Sequence, residues 1–219
     1  SEDIYVCHGV TEALQIIFAA VLEEGTKVLA PGPHYPPYMA YPQMYGATTV
    51  EYKLQHLDGW GLDFDDIERK MDDDVRLLGL IIPNNPCGTV CGAEDVDRLL
   101  EIASKYPNCV IVADEIYDGL DFTGKHVSVA SRNTSQPVIV LNGVSKVYYA
   151  PGWRIGYMAL HDPISSAQII KLTKESFVFC AEKESLKHFI SISSNLIVFF
   201  SSSDSLIAIL ELPILVFIR

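Results

Sequence analysis

Five short runs of apolar residues recur between residues 4 and 143, and each stops at a cluster of turn-forming or polar residues. Ile4-Tyr5-Val6-Cys7 ends at His8-Gly9, and Lys27-Val28-Leu29-Ala30 ends at Pro31-Gly32-Pro33. Leu77 to Ile82 ends at Pro83-Asn84-Asn85-Pro86-Cys87-Gly88, Cys109 to Ala113 at Asp114-Glu115, and Val138-Ile139-Val140-Leu141 at Asn142-Gly143. Runs of this length, closed by such residues, read as buried strands. Between them lie stretches with helical spacing of apolar groups: Thr11 to Phe18, Tyr38 to Tyr45, an acidic helix opened by Asp63, and Ala93 to Tyr106 with Val96, Leu99, Leu100, Ile102 and Ala103 on one face. A further strand is expected at Thr48 to Tyr52. Strands alternating with helices make an α/β fold around a mostly parallel sheet, which gathers its strand ends at one edge, where α/β folds bind ligands.

The residues at those strand ends carry chemistry. Lys146 follows the run at Val138, beside Ser145 and eight residues before Arg154. A lysine in partly apolar surroundings near a second cation has its pKa lowered toward the range of a carbonyl nucleophile, the condition for a Schiff base. A hydroxyl and a guanidinium fork are the usual partners of a phosphate. Together they suggest pyridoxal phosphate; the plain alternative is a solvated loop lysine. Gly9 before a helix start places free backbone N–H groups where an anion is held, unless the helix is simply N-capped. Tyr35, among prolines, is either a surface aromatic or a ring laid on a flat ligand. Asn85, between prolines, is a fixed amide donor or a turn former. Asp114, directly after a strand, would keep a pyridine nitrogen protonated and so make the ring an electron sink. Tyr117, three residues on, could donate to a phenolic oxygen of that ring. The Asp72-Asp73-Asp74 run reads as a solvated turn rather than a metal site, and no metal is expected.

Charge narrows the class. A net charge of −12 leaves no basic excess for nucleic acid or an anionic membrane surface. Five cysteines, Cys7, Cys87, Cys91, Cys109 and Cys180, are odd in number, without a CxxC pair, so neither a disulfide framework nor a zinc site is indicated and a reducing, cytoplasmic setting is expected. The N-terminus lacks the basic start and apolar run of a signal peptide. Near Pro163 the composition breaks: all 14 glycines precede it, and residues 164–219 are rich in serine, isoleucine and phenylalanine. Residues 1–163 are therefore expected to form the ligand-binding domain and 164–219 a divergent apolar, serine-rich tail without a small domain. The apolar stretches Leu196 to Phe200 and Leu206 to Ile218 are interrupted by Ser201 to Ser205, Glu211 and Pro213, which argues against a membrane span and for an aggregation-prone or poorly ordered tail.

Laid together, GVTEAL (9–14), PGPHYPPY (31–38), PNNPCG (83–88), ADEIY (113–117) and NGVSKVYYAPGWRIGY (142–157) resemble the fold-type-I aminotransferases of class I/II, on the alanine and aromatic aminotransferase branch. The resemblance implies part of the three-layer, mostly parallel large domain of the pyridoxal-phosphate-dependent transferases. It implies that Lys146 is the Schiff-base lysine, Asp114 the pyridinium partner, and Tyr117 and Asn85 the ligands of the ring hydroxyl, with Asn85 also touching the substrate carboxylate. Tyr35 matches the aromatic stacked on the ring. Val10 and Thr11 match the helix-start phosphate site, completed by Ser145 and Arg154. The implied reaction moves an amino group between an amino acid and a 2-oxo acid; a carbon–sulfur lyase on the same scaffold, or a non-catalytic cofactor-binding fragment, are the alternatives. Two positions depart from the family pattern: Ile82 and Cys87 stand where the asparagine turn usually carries asparagine and threonine. Family members also have chain before the GVTEAL segment, with a tyrosine donated across a homodimer, and a small C-terminal domain whose arginine grips the substrate carboxylate. Since no stretch here corresponds to these, the chain is expected to bind cofactor with weak or no turnover.

Overall fold

The computed structural model describes residues 3–57, 59–132, 134–161, 190–193, 196–200 and 206–211, divided between two units, residues 1–176 and 177–219. In the first unit eight strands form one sheet: Ile4–Cys7 (β1), Lys27–Gly32 (β2), Thr48–Gln55 (β3), Gly61–Leu62 (β4), Val75–Ile81 (β5), Val110–Asp114 (β6), Val138–Gly143 (β7) and Gly156–His161 (β8), in the order β1-β8-β7-β6-β5-β2-β3-β4. The neighbours from β3 through β2, β5 and β6 to β7 are all parallel. Only β8, which runs against both β1 and β7, and the short β4 are antiparallel to their neighbours.

Among the described residues four α-helices are present: Val10–Val21 (α1), Pro37–Ala40 (α2), Phe64–Lys70 (α3) and Ala93–Ala103 (α4). Because side chains alternate across a strand, each central strand is apolar on both faces, as a covered parallel sheet requires. One set, including Leu29, Leu78, Leu80, Ile111, Ala113, Val138 and Val140, packs with Ile67 of α3 and with Val96, Leu99, Leu100 and Ile102 of α4. The alternate set, including Leu77, Val112 and Ile139, is also buried, as are Ala13, Leu14, Ile17 and Phe18 of α1, which belong to no part of the first cluster. On this second side the ring of Phe18 meets that of Tyr38 edge-on at 5.9 Å. Tyr38 in turn lies over Gly79, whose Cβ would fall 2.8 Å from the Tyr38 ring. The arrangement is three-layered, as expected.

Some boundaries differ from the sequence reading. Tyr38 to Tyr45, expected as one helical stretch, is α2 followed by a separate 3-10 turn over Pro42–Tyr45, because Pro42 has no N–H to continue α2. Asn142 and Gly143, expected to open the turn after β7, are its last residues, paired with Tyr157 and Gly156 of β8. That partner strand had no counterpart in the sequence reading. Asp63 does open α3, its side chain accepting from the Asp66 N–H at 3.0 Å. Asp72 and Asp74 form a turn whose carboxylates face the Lys27 ammonium at 2.6 and 3.2 Å. Among the described residues no His, Cys, Asp and Glu side chains are grouped to hold a metal.

In the second unit Ile190–Ser193 (β9), Leu196–Phe200 (β10) and Leu206–Glu211 (β11) form an antiparallel sheet in the order β11-β10-β9. The rest of the expected 164–219 tail lies outside the described residues. No described helix is long and apolar enough to cross a membrane.

Candidate active site

The shared direction of β1, β2, β5, β6 and β7 brings the turns after them to one edge of the sheet. The reversed strand β8 contributes its beginning to that edge: Gly156 pairs with Cys7 of β1 on one side and Gly143 of β7 on the other. Here an open cavity of about 650 Å³ is lined by Val10, Thr11, Tyr35, Ile81, Asn85, Asp114, Ile116, Tyr117, Ser145, Lys146, Pro151 and Arg154. All nine site residues expected from the sequence are among its walls.

Each wall residue is placed by local chemistry. Asp114 ends β6 at 3% exposure, and its Oδ1 accepts from the Ile116 N–H at 3.3 Å. Burial pushes its carboxyl up to about 7; the Ile116 N–H pulls down, Glu115 adds to the rise and Lys146 opposes it. A buried carboxyl in this condition lacks a close cation, which a protonated ring nitrogen would supply. Asn84 and Asn85 divide their tasks. Asn84 is buried and shapes the turn, its Oδ1 accepting from the Cys87 N–H at 3.0 Å and its own N–H donating to Thr89 O at 2.8 Å. Asn85 is left half-buried at the cavity wall. Tyr35 is half-buried on the loop after β2. Lys146, expected in partly apolar surroundings, is exposed, and its Nζ lies 5.6 Å from the centre of the Tyr117 ring.

The part of the cavity at the start of α1 suits an anion. Helix α1 starts at Val10 with Gly9 as N-cap and no side-chain cap hydrogen bond, so the first backbone N–H groups have no intrahelical partner. Gly9 has φ +80° and ψ 167°, a region essentially reserved for glycine. A Cβ there would fall 2.7 Å from Arg154 Nη2, so the absent side chain leaves room for the guanidinium beside the helix start. Arg154 is fixed by donating from Nη1 to Pro151 O at 3.0 Å and from Nη2 to His8 O at 3.2 Å, and its own φ of +52° is uncommon for a non-glycine residue. Helix start, Ser145 hydroxyl and Arg154 offer donors and positive charge to a phosphate. With the buried acid Asp114 lining the same cavity, this donor set fits pyridoxal 5'-phosphate.

Three wall residues were missed. Ile81 and Ile116 were indistinguishable in sequence from the buried ends of apolar runs, and Pro151 read as loop punctuation. For Ile116 a signal existed in its position between Asp114 and Tyr117, where a turn that presents both must also present what lies between them.

A family model described as aminotransferase class I and II matches residues 1–215. The chain is 35% identical over 163 residues to an alanine aminotransferase of Mycobacterium tuberculosis, covering 74% of this chain and 38% of that one. It is 36% identical over 168 residues to a glutamate-pyruvate aminotransferase of Escherichia coli, covering 76% and 41%. Among solved structures, alanine aminotransferase from Pyrococcus furiosus matches with a TM-score of 0.78 and 40% identity, over 84% of this chain and 46% of that one. The chain thus spans less than half the length of these relatives.

Proposed function

The chain belongs to the class I and II aminotransferases, a pyridoxal-phosphate-dependent family, and from that premise we propose that its cavity holds the cofactor for moving an amino group between an amino acid and a 2-oxo acid. Pyridoxal phosphate supplies, when bound, an electron-withdrawing ring that takes up the electron pair left as the substrate Cα loses its proton. Asp114 holds the ring nitrogen in its protonated form. Tyr117 and Asn85 donate to the ring hydroxyl oxygen, and Tyr35 covers one ring face. Val10 and Thr11 through their backbone N–H groups, Ser145 through its hydroxyl and Arg154 through its guanidinium hold the phosphate. Lys146 would hold the cofactor covalently through Nζ and, as a free amine, would take the substrate Cα proton as a base and return one as an acid. Asn85 also donates to the substrate carboxylate. The observation that supports the reading is the meeting of nine residues from five separated segments in one cavity, among them a buried carboxyl, a lysine and the donors of the anion corner.

The relatives' names suggest alanine, with pyruvate and glutamate as exchange partners, as the first substrates to try. Assembly as a homodimer and a cytoplasmic setting belong to the same reading, the latter supported by Cys7, Cys87, Cys91 and Cys109, which are free thiols among the described residues. Of the described residues that line the cavity, Lys146 and Arg154 carry a positive charge, and both are engaged by the cofactor in this scheme, so among the described lining residues Asn85 is left to hold the substrate carboxylate. The 219-residue chain is accordingly proposed to bind cofactor and exchange amino groups in single turnovers, with slow steady-state turnover. Mixing cofactor-loaded protein with alanine and following pyruvate release tests this. Pyruvate stoichiometric with protein, followed by turnover far below the usual enzyme value of about 10 per second, is expected; no pyruvate at saturating alanine contradicts the transamination reading.

A further inference from the structure

Tyr117 and Lys146 sit on different turns, one after β6 and one after β7, so their mutual placement depends on what joins those turns. Three contacts do so. Asn142, the penultimate residue of β7, donates from Nδ2 to Asp118 Oδ2 at 2.9 Å, and its Oδ1 accepts from the Gly143 N–H at 2.7 Å. This fixes the amide's orientation and uses its oxygen locally. Asp118 is anchored in its own turn, donating its N–H to Glu115 O at 3.0 Å and accepting the Gly119 N–H on Oδ1 at 2.6 Å. One residue further on, Gly119 abuts Val147: a Cβ on Gly119 would fall 2.7 Å from Val147 Cγ1. A Cβ on Gly143 would likewise fall 3.3 Å from Ile116 Cδ1. The hydrogen bond and the two close approaches involve the residues on either side of Tyr117 and the one after Lys146.

We propose that the Asn142–Asp118 hydrogen bond, seated between these packed contacts, is a clasp that sets the Tyr117 hydroxyl relative to the Lys146 Nζ. Asn142 and Asp118 are thus positioning residues that touch neither cofactor nor substrate. The inference rests on the reading of Lys146 as the covalent lysine and Tyr117 as donor to the ring oxygen. A buried asparagine at a strand end would otherwise be only a turn former; here its amide reaches out of its own turn to the neighbouring one. The clasp acts through geometry: a donor displaced from a ring oxygen by an ångström loses most of its hydrogen bond. The ring oxygen's anionic form is what the Tyr117 hydroxyl stabilises, so a loosened clasp raises the pH at which the linked cofactor deprotonates. The other phenols near Asp118 do not interfere near neutral pH, since burial raises Tyr148 and pushes Tyr157 up to about 12.

The test uses the cofactor-loaded chain and reads the pH midpoint of the linked cofactor's absorption band. Tyr117→Phe should raise that midpoint by about 1 pH unit, the size of one hydrogen bond. Asn142→Ala should raise it by part of that amount, and Tyr117→Phe combined with Asn142→Ala should go no further than Tyr117→Phe alone, because the asparagine acts through the tyrosine. The exchange Asn142→Asp with Asp118→Asn keeps one donor facing one acceptor and should return the midpoint toward wild type. If Asn142→Ala does not fold, Asp118→Ala removes the acceptor at a half-exposed site and carries the same expectation. An unchanged midpoint in the variant that folds, or a shift additive with that of Tyr117→Phe, overturns the clasp while leaving the cofactor reading intact. Absence of a borohydride-trappable link at Lys146 in the wild-type chain removes the cofactor reading and the clasp with it.

Discussion

Asp114 bears the sharpest conflict between stability and chemistry at the level of single residues. With a carboxyl near 7 in the folded chain against about 4 in the unfolded one, the folded state binds the proton more tightly. Its stability therefore falls as pH rises from about 4 to about 7 and is level above. Asp114→Asn removes the buried charge, and without cofactor it should be more stable than wild type at pH 8 by about 2–4 kcal/mol, the difference vanishing near pH 4. Urea denaturation at the two pH values checks this. Loaded with cofactor, the same variant should still form the covalent link at Lys146 yet transaminate poorly, because a neutral amide does not hold the ring nitrogen protonated. Equal stability at both pH values would mean that the carboxyl is not isolated from solvent. At this scale the sequence was most informative, because Asp114, Asn85 and Lys146 follow apolar runs whose ends are easily recognised. Ile81 and Ile116 were not legible, since an apolar residue facing a cavity and one facing a core differ only in what lies opposite.

Helix α1 and its preceding turn carry the anion corner as an element rather than through any one side chain. Gly9→Ala forces a residue with a Cβ into φ +80° and against Arg154 Nη2 at 2.7 Å, at a cost of about 1–3 kcal/mol. Affinity for pyridoxal phosphate should fall at least tenfold, while affinity for pyridoxal, which lacks the phosphate, should change much less; parallel titrations of both compounds measure the difference. Helix α3 is held on the sheet by Asp66, which is buried and accepts the Lys53 N–H of β3 at 2.8 Å and the Lys70 ammonium at 2.7 Å. Burial pushes this carboxyl up, but Lys70, the Lys53 N–H and Arg69 outweigh it and hold it below its ordinary value. A depressed carboxyl stabilises the fold above its unfolded pKa, and that contribution is lost as pH falls below about 4. Asp66→Ala should cost about 2 kcal/mol at neutral pH, with the deficit narrowing at pH 3, as thermal melts at the two pH values would register. The elements themselves were readable wherever a propensity break and an apolar period coincided, as at Asp63 and at β5. They were misread where a partner decides: Asn142 and Gly143 are strand residues only because β8 lies beside them.

For the whole molecule the decisive feature is that a parallel sheet with one reversed strand assembles distant turns. The parallel core follows from the alternation of strands and helices, so the edge carrying the cavity was legible before the structure. The insertion of β8 between β1 and β7 was not, because its pairing with β1 is set by contacts between residues more than a hundred positions apart, such as Cys7 and Gly156. Yet that insertion brings Arg154 beside Gly9 and completes the anion corner. The central claim is that this assembly makes Lys146 the single lysine able to link the cofactor. Incubating the purified chain with pyridoxal phosphate, reducing with borohydride and mapping the modified peptides tests it directly. One modified peptide, containing Lys146 and lost in Lys146→Ala, is the predicted result; label shared with exposed lysines such as Lys105 or Lys125 to the same extent would contradict it.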